Sequence, residues 1–185
     1  MNAVRAGAFI LLEKLFRWCI HARFRGYLIR LFGARIGRGV RINEVIFSGF
    51  WNGFRNLSIG DNVFIGDGTF IDLTGRVSIG SRSSISPRCV LMTHEDPGSM
   101  LGSKLSTLYS RRVEEIQIGN DAWIGAGVII LCGISIGKGV VVGAGSLVNK
   151  DIPDNCVAHG TPAVVIKKNC HDNKPYSCIK TRQNK

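Results

Sequence analysis

The sequence contains little of what holds small secreted proteins together or places a protein across a membrane. Its six cysteines include no CxxC pair, so we expect unpaired thiols that pack as small apolar residues, with no disulfide framework. The longest uncharged stretch near the N-terminus, residues 6–12, is far shorter than the about 20 residues of a membrane-spanning helix. No small-residue cleavage site follows it, so no signal peptide is evident. A cytoplasmic protein is predicted, with at most a peripheral position at the inner face of a membrane.

Proline is also scarce, with 5 residues against 23 glycines, which favours tight turns in one folded domain over disorder. Acidic residues are scarce at the two ends of the chain. Residues 1–41 carry a net charge of +8 and residues 164–185 a net charge of +5, while the residues between them carry −2. A nucleic-acid-binding protein normally carries its basic stripe over the working surface, so nucleic acid is not a predicted partner. Basic ends instead favour anionic partners such as a membrane surface or phosphate groups.

What the sequence does contain is a six-residue repeat. From Ile59 it reads IGDNVF, IGDGTF, IDLTGR, and from Ile118 it reads IGNDAW, IGAGVI, ILCGIS, IGKGVV, VGAGSL, VNKDIP. Shorter runs begin at Ile36 and Ile79. An aliphatic residue opens each hexad and glycine most often follows it, a period that fits neither an α-helix nor a regularly alternating strand.

The repeat predicts an all-β solenoid in which each hexad forms one short strand and one turn, and three hexads complete a coil of 18 residues. The leading Ile or Val is expected to point inward and to stack on its counterpart one coil away. The glycine that follows is expected to adopt a positive φ at the corner, where a Cβ would clash.

Residues 36–166 resemble the hexapeptide-repeat acyltransferases, and residues 123–167 are similar to the sugar and polysaccharide O-acetyltransferases of the maltose, galactoside and nodulation-factor type. The resemblance implies a left-handed parallel β-helix, acetyl-CoA as co-substrate, and a homotrimer with active sites between subunits. We divide the chain into a basic amphipathic helical segment (1–35), a catalytic β-helix (36–166) and a basic tail (167–185).

The repeat is interrupted at Thr93-His94 and restarts at Ile118, after a protruding loop over residues 95–115. A solenoid needs no such excursion, and long loops in compact domains are often functional. A neutral imidazole suits removal of a hydroxyl proton during acetyl transfer, and the resemblance gives His94 the role of catalytic base. Glu95 or Asp96 is a candidate for orienting the imidazole.

No metal is predicted. His94 is the only histidine within the uninterrupted repeats, so a zinc site of the γ-class carbonic anhydrase type, which needs three imidazoles, is excluded. Cys170, His171 and Cys178 of the tail do not have the spacing of a standard metal site.

The resemblance also implies a slot for acetyl-CoA along the later coils. Its predicted lining residues are small ones that let the pantetheine arm approach, the end of one coil, and a basic residue for phosphate: Ala126, Ala144, Asn149, Lys150 and Lys167. The candidate acceptor-site residues are Trp123, Tyr109 and Arg111. The aromatic segment 47–56 is interpreted either as a core plug under a loop, which we favour, or as an acceptor-site element.

Residues 1–32 have helical, amphipathic character with aromatic and basic side chains. They are expected to cap the open end of the solenoid, to bind an anionic membrane surface, or to do both on different faces.

The predicted activity is an acetyl-CoA-dependent O-acetyltransferase with a carbohydrate hydroxyl as acceptor, in a surface polysaccharide or a lipid-linked glycan. Two alternatives remain open from the sequence. One is acetylation of an amine or an antibiotic hydroxyl on the same scaffold, and the other is a catalytically silent β-helix, against which the position of His94 argues.

Overall fold

The computed structural model describes residue 11 and residues 21–50, 53–97 and 104–168. The predicted tail beyond residue 168, with Cys170, His171 and Cys178, lies outside these ranges, as does most of the segment before residue 21. Within them the chain forms helices α1 (Ala22–Leu31) and α2 (Leu105–Leu108), and neither helix is long and apolar enough to cross a membrane.

The strands are short and follow one another in a regular order. They are β1 (Arg35–Ile36), β2 (Arg41–Ile42), β3 (Ile46–Ser48), β4 (Leu57–Ile59), β5 (Phe64–Ile65), β6 (Phe70–Asp72), β7 (Val77–Ile79), β8 (Ser84–Ile85), β9 (Val90–Leu91), β10 (His94–Glu95), β11 (Arg112–Val113), β12 (Ile116–Ile118), β13 (Trp123–Ile124), β14 (Ile129–Ile130), β15 (Ser135–Ile136), β16 (Val141–Val142), β17 (Leu147–Val148), β18 (Cys156–Gly160) and β19 (Ala163–Lys168).

Every third strand of the coils joins the same sheet, so the chain winds around three sheets. Sheet A has the order β1-β4-β7-β12-β15, sheet B the order β2-β5-β8-β13-β16-β18-β19, and sheet C the order β3-β6-β9-β14-β17. Within these three sheets the coil-to-coil pairs are parallel, and β19 pairs antiparallel with β18. Strands β10 and β11 form a separate antiparallel pair. We call the turn from sheet A to sheet B the first corner, from B to C the second, and from C to A the third.

The core is a set of aliphatic columns, one beneath each sheet. In sheet A, Ile59 pairs with Ile79 and Ile79 with Ile118, and all three are almost fully buried. The same holds for Ile65, Ile85 and Ile124 of sheet B and for Ile71, Leu91 and Ile130 of sheet C. Burial of each such side chain contributes about 1.5–3 kcal/mol to folding, and the predicted inward stacking is confirmed.

The expected role of the glycine after each leading aliphatic residue is wrong. Gly80 and Gly119 do not have a positive φ. The positive φ occurs two residues later, at glycines such as Gly68 and also at residues such as Arg82 and Asp121. Glycine follows the aliphatic residue because the next coil lies directly against it: a Cβ on Gly80 would lie 2.5 Å from the Gly119 carbonyl carbon.

Helix α1 covers the start of the solenoid, packing on β1 and β2. Ile29 is fully buried, and the buried Arg25 donates from Nη1 to the Ile42 carbonyl over 2.9 Å. The aromatic segment packs beside it: Phe54 is fully buried, stacks on Phe50 and meets Phe47 edge-on. The described part of this segment therefore packs as a core plug.

The unpaired, core-like cysteines predicted from the sequence are found at Cys89, Cys132 and Cys156, which are free and buried.

Candidate active site

His94 lies at the third corner, where the chain leaves β9 and begins the long excursion. It opens strand β10, which pairs antiparallel with β11, so that His94 stands opposite Val113. The Glu114 amide donates to the Thr93 carbonyl over 2.9 Å. These contacts close the base of the excursion and fix the backbone of His94 at its root.

The carboxylate in contact with His94 is Asp72, one coil below. Their side chains meet through His94 Nδ1 and Asp72 Oδ2, 2.6 Å apart. Asp72 is fully buried, whereas the His94 side chain keeps 29% of its surface exposed. The imidazole therefore has one edge against a buried acid and another toward solvent.

Asp72 is held by two threonines as well. Thr93 donates from its hydroxyl over 2.6 Å and from its amide over 3.0 Å to Oδ2, and Thr74 donates from its hydroxyl over 2.7 Å and from its amide over 3.1 Å to Oδ1. Burial opposes ionisation and raises the pKa of Asp72, but the hydrogen bonds from Thr93, His94 and Thr74 outweigh it and hold that pKa below its usual value of 3.8.

The charge on Asp72 sets the tautomer of His94. An ionised carboxylate only accepts hydrogen bonds, so Nδ1 carries the proton and donates it to Asp72. Nε2 then holds a lone pair and is free to accept a proton from a substrate hydroxyl. The arrangement can therefore accept a proton at Nε2 while Nδ1 stays hydrogen-bonded to the buried carboxylate.

The two acids predicted to orient His94 face arginines of the excursion. Glu95 Oε2 lies 3.8 Å from Arg112 Nη1, and Asp96 Oδ2 lies 3.9 Å from Arg111 Nε. Sequence reasoning missed Asp72 because it is 22 residues away. A signal was present: Ile71 occupies an inward position with an acid where glycine usually follows, and the repeat places Leu91 directly above Ile71.

The predicted donor-slot residues are spread over two corners and the last strand. Ala126 and Ala144 are exposed at the second corner and lie one above the other, since the Gly145 amide donates to the Ala126 carbonyl over 2.8 Å. Asn149 and Lys150 are exposed at the third corner, after β17, and Lys167 is half-buried in β19. Within one chain, sheet C separates the alanines from His94.

Two of the predicted acceptor residues are exposed. Tyr109 and Arg111 lie on the returning part of the excursion, and Arg111 reaches its root through the contact with Asp96. Trp123 is half-buried on the outer face of sheet B, and its Nε1 donates to the Ser86 hydroxyl over 3.2 Å.

The outer faces of the sheets differ in chemistry. Sheet C presents a ladder of apolar side chains, which are Ile46, Phe70, Val90, Ile129 and Leu147. Sheet A presents polar side chains at the matching positions, which are Ser58, Ser78, Gln117 and Ser135. The outer face of sheet C is thus suited to contact with protein, and that of sheet A to contact with water.

In the part of the chain that the structure describes, no three His, Cys, Asp or Glu side chains are grouped as a metal site requires.

The family described as bacterial transferase hexapeptide (six repeats) matches residues 115–150. The chain is 34% identical over 157 residues to a putative colanic acid biosynthesis acetyltransferase of Escherichia coli, covering 84% of this chain and 78% of the relative. It is 35% identical over 172 residues to a galactoside O-acetyltransferase of Lactococcus lactis, covering 91% and 80%.

Two solved structures are also similar. One is a hexapeptide-repeat acetyltransferase of Vibrio cholerae in complex with acetyl-coenzyme A, with a TM-score of 0.73, 27% identity, and coverage of 89% of this chain and 85% of that one. The other is a galactoside acetyltransferase in complex with coenzyme A, with a TM-score of 0.71, 30% identity, and coverage of 86% and 80%.

Proposed function

Because the chain belongs to the hexapeptide-repeat acetyltransferases and is thus an acetyl-CoA-dependent acyltransferase, we propose that it acetylates a carbohydrate hydroxyl with His94 as general base. The observation that carries the proposal is the Asp72–His94 contact at the root of the excursion. The relatives named as colanic acid and galactoside acetyltransferases support a carbohydrate acceptor in surface polysaccharide or lipid-linked glycan synthesis.

The reaction needs two proton transfers, from the acceptor hydroxyl to His94 and from His94 to the leaving thiolate. The acceptor oxygen attacks the thioester carbonyl carbon of acetyl-CoA while Nε2 of His94 takes the hydroxyl proton, and a tetrahedral intermediate forms. The carbon–sulfur bond then breaks, and the leaving thiolate takes the proton back from the imidazolium. Asp72 stabilises the imidazolium between the two steps, and base catalysis of this kind contributes about 10²–10⁴-fold.

We assign the donor slot to the residues that the family resemblance implies. Ala126 and Ala144 leave room for the pantetheine arm beside the stacked backbone of the second corner. Lys150 and Lys167 are placed to meet phosphate groups, and Asn149 to hydrogen-bond the arm.

We also propose that the enzyme is a homotrimer. The apolar outer face of sheet C supports this, since a monomer would leave that ladder in water. The placement of the alanines and of His94 at different corners supports it too, because a second subunit can bring its second corner to the third corner of the first. Tyr109, Arg111 and Trp123 are the proposed acceptor contacts.

The proposed location of the enzyme is the inner face of a membrane, where lipid-linked glycans are synthesised. The +8 charge of residues 1–41 supports it, because cytoplasmic leaflets are anionic.

The proposal is tested by measuring release of free coenzyme A from acetyl-CoA in the presence of oligosaccharides, of amine-bearing acceptors, or of no acceptor. We expect turnover with a saccharide, with the acetyl group found as an oxygen ester. Turnover confined to amines, with an amide product, would overturn the hydroxyl acceptor while leaving the acyltransferase assignment intact.

A further inference from the structure

We propose that the outer face of α1, together with the arginines that flank it, is a docking surface for anionic phospholipid headgroups. We call it the α1 surface and define it by Phe24, Tyr27, Leu31, Arg23, Arg30 and Arg35. The proposal identifies the residues through which the protein would contact a membrane. It depends on the proposed membrane location and is independent of the proposed acetyl transfer.

The inner face of α1 is buried against the solenoid. Gly26 and Ile29 are buried against the first coil, and Arg25 reaches inward to the Ile42 carbonyl. A hypothetical Cβ on Gly26 would already touch Ile36 at 3.7 Å. The helix is therefore fixed to the end of the β-helix, and its orientation determines what the opposite face presents.

The outer face presents large apolar side chains to solvent. Phe24 is 53% exposed, Tyr27 is 57% exposed and Leu31 is 64% exposed. Their spacing of three and four residues places them on one side of the helix, and the Phe24 and Tyr27 rings stack with centroids 6.2 Å apart. These side chains form one continuous apolar stripe, which has no role in covering the solenoid.

The surroundings of this stripe are basic. Between Glu13 and Glu44 the sequence contains no acidic residue. Arg23, Arg30 and Arg35 are exposed, and α1 has no acid in its first turn. Two acids of the second coil are engaged with the backbone of the first: Asp61 accepts from the Arg38 amide and Asp67 from the Glu44 amide.

An anionic bilayer satisfies both features of the α1 surface at once. Headgroup phosphates pair with the arginines, while the aromatic and aliphatic side chains enter the boundary between headgroups and acyl chains. A second copy of the same surface would bring arginines against arginines. A nucleic acid would satisfy the arginines but would leave Leu31 in water.

The test is sedimentation of the full-length protein with vesicles of phosphatidylcholine alone or mixed with phosphatidylglycerol, at low and high salt. We expect binding only to the anionic vesicles, and weaker binding at high salt because exposed charges are screened.

Two sets of variants locate the surface. Arg23→Gln with Arg30→Gln should weaken binding about thirtyfold, whereas the matched pair Arg76→Gln with Arg88→Gln on other coils should leave it unchanged. Phe24→Ser with Leu31→Ser should also weaken binding, while Leu108→Ser with Val164→Ser, which removes equally exposed apolar groups elsewhere, should not. All of these positions are exposed, so thermal unfolding should match the wild type.

Equal losses in the matched pairs would overturn the proposal, because binding would then reflect the overall +11 charge. Binding to duplex DNA that is insensitive to the Phe24 and Leu31 changes would also overturn it, in favour of a phosphate-backbone surface. Acetyl transfer to a soluble acceptor should be unchanged in every variant. If the wild-type protein bound anionic vesicles but showed no acetyl transfer, only the proposed function would be contradicted.

Discussion

The first and third corners of the β-helix are built under opposite constraints. At the first corner, each coil turns in the same number of residues, and a positive φ falls three residues after the inward aliphatic residue, as at Asn62, Arg82 and Asp121. At the third corner the length changes from coil to coil, from the four residues between β14 and β15 to the excursion that follows β9.

The difference shows where this fold can carry chemistry. At the first corner, successive backbones approach so closely that a Cβ on Gly37, Gly80 or Gly119 would lie within 2.7 Å of the next coil's backbone. Insertions there would separate the coils and open the core. At the third corner the chain can leave the stack and return, and His94 is found there, next to Asp72 at the end of β6.

The largest effect should come from removing the base at the third corner. His94→Ala should lower kcat by about 100-fold or more, since the imidazole contributes the proton transfer. The protein should stay folded and bind coenzyme A near the wild-type level, because His94 is outside the aliphatic columns and Thr93 and Thr74 still hold Asp72. The measurement is coenzyme A release at saturating substrates, with His21→Ala as the control. Retention of more than about a tenth of the wild-type rate would contradict the role of base.

The next largest effect should come from Asp72, the buried acid that contacts His94 from the coil below. Asp72→Asn keeps the shape but removes the charge that stabilises the imidazolium, and hydrogen bonds to charged groups are worth about 1.5–3 kcal/mol. We expect a fall in kcat of about 10–100-fold. Asp67→Asn, an exposed acid on the same coil, should leave the rate unchanged, and Glu95→Gln should have a smaller effect than Asp72→Asn.

Asp72 also gives a pH dependence with a defined sign. Its pKa is lower in the folded protein than the usual 3.8, so its stabilising contribution is complete above that value and is lost as the pH falls through the folded-state pKa. The unfolding free energy of the wild type should therefore fall more steeply in this acid range than that of Asp72→Asn. The check is the unfolding free energy from denaturant titrations at several pH values. Equal pH dependence in the wild type and in Asp72→Asn would contradict this prediction.

Substitution at the first corner should change stability and not chemistry. Gly80→Ala should destabilise the protein by about 1–3 kcal/mol, because its Cβ would meet the backbone of Gly119 and Asn120. Gly68→Ala is the matched control: it has a φ of 69° but only the flexible Arg88 side chain nearby at 3.4 Å. It should cost about 1 kcal/mol from backbone strain. The check is chemical denaturation, and equal losses would refute the close-approach explanation.

The smallest effects are expected at the proposed donor phosphate contacts. Lys150→Ala and Lys167→Ala should each raise the KM for acetyl-CoA about fivefold with little change in kcat, because a phosphate contact holds the donor equally before and during the reaction. Lys138→Ala, at the first corner beside Asp154, should change neither constant. A collapse of kcat at saturating donor would give that lysine a different role.

The repeat and the resemblance predicted the all-β, left-handed parallel β-helix, and that fold is confirmed. The coils were predictable because the period of the inward aliphatic residues is a local property that each hexad repeats, whereas the left hand was implied by the resemblance alone. The position of the positive φ was misassigned because glycine serves two purposes in the hexad. Directly after Ile79 it permits close stacking, whereas two residues further on the left-handed conformation is also tolerated by Arg82.

The candidate site was harder to predict because it depends on register. His94 is visible in the sequence as the residue at which the period breaks. Asp72 lies within an intact hexad, and its proximity to His94 follows only from knowing that Ile71 pairs with Leu91. The proposed docking surface was visible as charge and aromatic content, but the division of α1 into an inner and an outer face required the packing of Arg25 and Ile29.

The excursion after β9 also has a consequence for the order of folding. Ile118 pairs with Ile136 at a separation of 18 residues, whereas Ile79 pairs with Ile118 at a separation of 39. Closing the longer loop costs about 0.7 kcal/mol more in chain entropy. The coils before β9 have similarly short separations, since Ile59 pairs with Ile79 at 20 residues. We therefore expect the coils on each side of the excursion to form first and to dock on each other later. His94 and Asp72 lie on the N-terminal side of that junction, so the final docking step is also the one that completes the wall around them.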